Sequence, residues 1–222
     1  MTPTPEWRPA GTLPFGWTKA EVAYHEIRRQ ILDGSLPPGS VLDQDRYASE
    51  LALSVTPVRE ALRRLEAEHL VRQYAHREVR VAPFSGDELR QLYTVRLELD
   101  PFAAGLAAKV ATQAELDAVA VLLPAHGRGD ARERLIENRK LHRLIYTGCH
   151  NGVLIQILDS LWDRCDRYRL ALLQSGDAAV DSAREHTAIM EAFCRRDSRT
   201  LRRLMINHLK ASLAEVDHVS FD

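Results

Sequence analysis

The sequence predicts a mainly α-helical chain in two parts: three helices with a small β-ribbon over residues 18–84, then an all-helical bundle over residues 85–222. Three observations carry this prediction. Apolar residues recur at helical spacing through most of the chain; β-prone residues cluster only between Leu70 and Ala82; and Pro83, Ser85 and Gly86 fall where the pattern changes.

Residues 1–17 hold four of the ten prolines and little periodicity, which predicts a loose tail with no apolar leader. The first helix follows, with Val22, Ile27, Ile31 and Leu32 at helical spacing and Asp33-Gly34 closing the run. Leu36-Pro37-Pro38-Gly39 is a connector, because proline cannot continue a helix. A second helix is expected over Gln44–Leu53 and a third over Val58–Glu68, with Pro57 near its first position, where a missing N–H costs nothing. Two short strands, Leu70–Tyr74 and Val79–Ala82, complete the first part. Helices in the second part are expected at about 87–109, 113–123, 130–149, 152–173, 181–195 and 198–219. The breaks between them are Ala111-Thr112, Pro124 to Asp130, Asn151-Gly152 and Ser175-Gly176.

Composition narrows the function. Net charge is −1, so any affinity for nucleic acid must come from local clustering. Cys149, Cys165 and Cys194 form no CxxC pair, which favours a reducing cytoplasm over a disulfide framework. No apolar run approaches the roughly 18 residues that span a bilayer.

Three helices followed by a ribbon is the layout of a winged helix-turn-helix. Its third helix carries Arg59 and Arg63, four apart on one face, with Arg64 beside them and Thr56-Pro57 at its start. The opposite face carries Leu62 and Leu65. Such a helix suits a major groove, where arginine forks onto guanine or grips phosphate. Glu60, Glu66 and Glu68 also lie here, so an ordinary solvated face is the competing reading. Arg77, between the strands, is the basic residue at the tip of the ribbon.

Residues 21–83 resemble the DNA-binding domain of the GntR family, in the subfamily with a FadR-type C-terminal (FCD) domain. The stretches that carry the resemblance are Ile31 to Gly39 (ILDGSLPPG) and Thr56 to Glu68 (TPVREALRRLEAE). The resemblance implies a third helix in the major groove, a ribbon tip at the minor groove, and a homodimer on a palindromic operator. Three positions depart from the family pattern. Val55 replaces an arginine, His69 a glycine at the helix end, and Glu78 a glycine at the wing tip. Glu78 would repel a phosphate backbone unless Arg77 dominates.

In the second part, three histidines lie on apolar stripes of three different helices. Asn138, His142, Ile145 and Cys149 share one face; His186 lines up with Ile189, Met190 and Phe193; His208 continues Leu201, Leu204 and Met205. A single inward histidine is most simply a hydrogen-bonded core residue. Three converging ones are more economically read as ligands of a divalent ion such as Zn, Ni, Mn or Fe, with Asn138 one turn before His142. The resemblance implies the same site, formed in the family by an acid and three histidines, and this chain has Asn138 where the acid is usual. It also implies that Arg96 lies near an effector pocket, which would select a small carboxylate. From spacing alone, Arg96 is equally a partner for Asp100 four residues on. Arg139, Arg143, Arg164 and Arg167 are expected on solvent faces.

The combined reading is a ligand-responsive DNA-binding regulator, with repression the expected sign, and not an enzyme. A metal-dependent hydrolase is the first rival, but no HExxH-like acid adjoins a histidine, and Glu185 before His186 points off the apolar face. The second rival is a helical interaction protein whose head no longer binds DNA, which Val55 and Glu78 keep open.

Overall fold

The computed structural model describes residues 16–75, 78–122, 131–175 and 183–217, which form nine α-helices and one two-stranded sheet. Residues 1–15 of the expected tail, Arg77, the break from Pro124 to Asp130 and Gly176 lie outside the described residues. The chain divides into two compact units, one ending at Phe84 and the other starting at Ser85.

In the first unit, α1 (Lys19–Leu32) opens on a capping box: Thr18 Oγ1 accepts from the Glu21 amide, and the Glu21 carboxylate accepts from the Thr18 N–H at 2.7 Å. Helix α2 (Gln44–Glu50) is capped by Asp43, and α3 (Val55–Ala67) starts after Ser54. Strands β1 (Val71–Gln73) and β2 (Val79–Val81) pair antiparallel, with Val71 opposite Val81. Ile27, Val58, Leu65 and Val81 are completely buried at the centre of the unit, where α1 and α3 pack together.

Two boundaries differ from the sequence reading. Helix α3 begins at Val55 rather than Val58, so Pro57 is its third residue; proline needs no N–H partner anywhere in the first turn, so it fits there equally well. Helix α2 ends at Glu50 rather than Leu53, because Ala52 takes φ +54° and turns the chain out of the helix.

The second unit contains α4 (Gly86–Val110), α5 (Gln113–Ala120), α6 (Ala131–Thr147), α7 (Gly152–Ser175), α8 (Ala183–Cys194) and α9 (Ser198–Asp217). Helix α4 is the central element and packs against α6, α7, α8 and α9. At Gly105 it lies so near α9 that an added Cβ would come within 2.6 Å of the Arg202 side chain. There the Ser198 hydroxyl donates to the Gly105 carbonyl at 2.7 Å. No helix among the described residues is long and apolar enough to cross a membrane.

Candidate functional site

The periodicity that buries one face of α6, α8 and α9 also turns a histidine from each into the same space. His142, His186 and His208 are all buried, and one ring nitrogen of each lies within 4.8 Å of the others. The Nε2 atoms of His186 and His208 are 3.3 Å apart. The His142 ring stacks on His208, stands edge-on to His186 and rests against Trp162.

The hydrogen bonds around the rings decide which nitrogens face inward. Tyr146 donates its one hydroxyl proton to Asp100 Oδ2 at 2.9 Å, so at 3.1 Å the Nδ1–H of His142 must be the donor to the Tyr146 oxygen. That leaves His142 Nε2 a bare lone pair, buried and without a partner. On α9, His208 Nδ1 lies 2.7 Å from Glu185 Oε2 and donates to it, which again leaves Nε2 to face the cluster. A carboxylate behind an imidazole is the usual outer support of a metal-bound histidine, because it fixes the tautomer and raises basicity. Burial, and then the neighbouring charges of His208, His186, Arg96 and Arg169, hold His142 well below the usual histidine range. Burial lowers His208 too, although its bond to Glu185 opposes this. Both rings therefore favour the neutral form that ligates metals.

Asn138 lies one turn before His142 on α6, buried, and neither its amide oxygen nor its amide nitrogen has a hydrogen-bond partner. Three imidazoles with a ring nitrogen each within 4.8 Å of the others suit a divalent ion of the nitrogen-preferring class, whose bonds of about 2 Å would draw the donors slightly together, and the unpaired Asn138 amide oxygen lies one turn away along α6. Leaving such atoms unpaired costs roughly 2–7 kcal/mol each. The residues present therefore fit a metal.

Arg96 is fully buried and forks onto Asp100 Oδ2, at 2.9 Å from Nη2 and 3.3 Å from Nε, with its guanidinium 4.0 Å over the Trp162 ring. The Trp162 indole N–H donates to the same carboxylate oxygen at 3.1 Å. Asp100 thus links Arg96, Trp162 and, through Tyr146, His142. Sequence reasoning offered the Arg96–Asp100 pair as one of two readings of Arg96 and missed Tyr146 and Trp162. The available signal for Tyr146 was its place four residues after His142. The expectation that Arg139, Arg164 and Arg167 decorate solvent faces is corrected. Arg139 is held among Asp159, Asp163 and Asp166, Arg164 is paired with Glu88, and Arg167 is buried; only Arg143 is well exposed.

In the first unit, α3 displays Thr56, Arg59 and Arg63 to solvent, with Arg59 Nε donating to Gln44 Oε1 at 2.8 Å. Pro57 is buried in the unit's own packing. Arg64 is exposed but committed to α1, with its guanidinium 3.7 Å over the Tyr24 ring and an ion pair to Glu68. Both Glu68 oxygens in turn accept from the Tyr24 hydroxyl at 2.8 Å. At the ribbon, Glu78 is paired with Arg80, which compensates the charge that would repel a phosphate.

Residues 19–81 match the gntR family of bacterial regulatory proteins, and residues 91–211 match the FCD domain. The chain is 30% identical over 198 residues to the HTH-type transcriptional repressor GlaR of Escherichia coli (strain K12), covering 84% of this chain and 90% of that one. It is 28% identical over 197 residues to a probable D-xylose utilization operon transcriptional repressor of Paenarthrobacter nicotinovorans, covering 86% of each. Its fold is similar to that of E. coli McbR/YncC, with a TM-score of 0.77 at 22% identity, over 90% of this chain and 97% of the other.

Proposed function

This chain belongs to the GntR family and carries an FCD domain, and from that premise we propose that it is a cytoplasmic, homodimeric repressor released from DNA by a small carboxylate. That it is a DNA-binding transcriptional regulator rather than an enzyme follows from the family. The finer reading rests on one observation. The core of the second unit holds buried polar atoms, His142 Nε2 and both amide atoms of Asn138, that no described residue satisfies. A metal ion with a small anionic ligand would satisfy them, which makes this unit the sensor and the α3 unit the reader.

In this reading, Asn138, His142, His186 and His208 hold a divalent ion, which would supply a Lewis-acidic attachment point for the effector. Arg96 contributes through Asp100 to the wall of the pocket. Thr56, Arg59 and Arg63, with Arg77 at the wing, approach the DNA, and Pro57 sets the start of the reading helix. Two copies would place two reading helices about one turn apart on a palindromic operator. Release requires that the effector favour the conformation that binds DNA less well.

The test is fluorescence anisotropy on DNA flanking the protein's own gene, with a salt titration and an unrelated duplex as control. Tight, salt-sensitive binding that prefers the flanking DNA and weakens on addition of a carboxylate supports the reading. Equal binding to both duplexes, unmoved by carboxylates, overturns it.

A further inference from the structure

The arginines of the first unit differ in what holds them. Arg29 pairs with Glu26 and Asp33, Arg46 with Glu50, Arg64 with Glu68 and Arg80 with Glu78, so each meets a carboxylate that offsets its charge. Arg59, exposed on α3, meets no carboxylate among the described residues; its Nε–H donates to the side-chain oxygen of Gln44 at 2.8 Å. Arg63, one turn further along, has no such bond among the described residues.

Gln44 is the first residue of α2. Asp43, just before it, caps that helix by accepting from the Asp45 and Arg46 amides, and the Arg46 side chain turns back to Glu50. The Gln44 side chain is therefore not needed as a cap. Its oxygen crosses to α3, fifteen residues on in the sequence.

An amide oxygen and a carboxylate do different things to an arginine. A carboxylate orients the guanidinium but neutralises it, whereas an amide takes one of its five N–H donors and leaves the charge intact. With Nε occupied, the two-pronged edge that remains is the pair of Nη groups, a fork that fits O6 and N7 of a guanine. Gln44, Arg59, Arg63 and Glu66 line one groove beside α3, so a guanidinium released from Gln44 has both space and an acid to turn to. Holding the side chain before DNA arrives removes part of the ordering cost of binding.

We propose that Gln44 is a positioning residue for base reading: it holds Arg59 with its Nη fork free for a guanine, so discrimination at the base pair that Arg59 meets depends on both residues. This rests on α3 being the helix that approaches DNA, as read above.

The test is fluorescence anisotropy of the full chain on the duplex that it enriches from a random-sequence pool, and on versions of that duplex with each G·C pair changed in turn to A·T. Tm and the salt slope are measured alongside. Arg59→Ala should abolish discrimination at a specific G·C pair. Gln44→Ala should weaken it at that same pair by about three- to tenfold, with Tm and salt slope unchanged, since no charge is lost. The double variant should discriminate no worse than Arg59→Ala. Gln44→Glu keeps an acceptor and adds a negative charge, so it should retain the discrimination while weakening binding to every sequence and lowering the salt slope by about one. If Arg59→Ala loses discrimination and Gln44→Ala does not, the proposal fails and the reading of α3 stands. It fails equally if Gln44→Ala weakens all sequences alike, if its loss adds to that of Arg59→Ala, or if Gln44→Glu discriminates as poorly as Gln44→Ala. Wild-type binding by Arg59→Ala, or no enrichment of any duplex, overturns the reading of α3 itself and the proposal with it.

Discussion

His186 and His208 bring their Nε2 atoms to 3.3 Å inside a closed helical core, while the other nitrogen of His208 is occupied by Glu185 at 2.7 Å. Two imidazoles in this position can share one proton or one cation, but two bare lone pairs facing each other repel. The third ring, His142, brings its unpartnered Nε2 to the same cluster.

Metal occupancy should be readable as stability. A ligand that binds only the folded chain stabilises it by about 2.7 kcal/mol at a free concentration of 100 times Kd. For a protein of this size that corresponds to a rise in Tm of roughly 5–10 °C. Thermal melts with Zn²⁺ and after exhaustive chelation should differ by this order, and His208→Ala should abolish the difference along with bound metal measured by elemental analysis. Identical melts in the two conditions would sink the metal reading of the three histidines.

Arg96 and Asp100 pose a separate question, because a buried ion pair is weak evidence for stability yet costly to break on one side. Removing either partner leaves an uncompensated buried charge, and Asp100 also accepts from Tyr146 and Trp162. Arg96→Met and Asp100→Asn should each cost about 3–5 kcal/mol, and the double variant much less than their sum. Urea unfolding of all four forms measures this. Additive losses would mean that Arg96 is not chiefly the partner of Asp100, and would return it to the effector pocket as a direct contact.

These networks show what a sequence can and cannot reveal. The six helices of the second unit and the inward stripes of His142, His186 and His208 were readable because one repeat of 3.6 residues governs both the helix and its buried face. The partners of those histidines were not. Whether Tyr146 meets Asp100, or Trp162 meets His142, depends on how α4, α6 and α7 approach one another, and no single helix encodes that. Glu185 does leave the apolar face, as the periodicity indicated, yet its flexible chain returns to His208 Nδ1. Arg164 and Arg167 were misread for the same reason, since their acidic and apolar neighbours come from elsewhere in the chain.

On α3, the three arginines should separate by experiment. Arg59 and Arg63 are exposed on α3, whereas Arg64 covers Tyr24 and pairs with Glu68. Arg59→Ala and Arg63→Ala should each weaken operator binding by about 1–3 kcal/mol where they read bases, or lower the salt slope by about one where they hold phosphate, without changing Tm. Arg64→Ala should lower Tm and leave the salt slope alone. Anisotropy and melting of the three variants decide it. A loss of DNA affinity on Arg64→Ala at unchanged Tm would place that arginine on the DNA instead.

The end of α3 carries a strain that a single substitution should relieve. His69 takes φ +59° directly after the helix. Its N–H bonds to the Glu66 carbonyl at 2.9 Å, and the Leu70 N–H bonds to that of Leu65 at 3.0 Å. These two bonds, with Leu65 and Leu70 both buried, form a Schellman cap whose left-handed position glycine fills without penalty. A side chain there costs roughly 1–2 kcal/mol, of which glycine's greater freedom in the unfolded chain gives back roughly 0.5–1. His69→Gly should therefore stabilise the first unit by about 0.5–1 kcal/mol, measured by urea unfolding, with operator affinity unchanged. Ala52 ends α2 with the same pair of bonds, Ala52 N–H to Ser49 and Leu53 N–H to Ala48, at φ +54°. Ala52→Gly should gain a similar amount, so a gain at residue 52 with a loss at residue 69 would mean that the His69 side chain makes a contact beyond the cap.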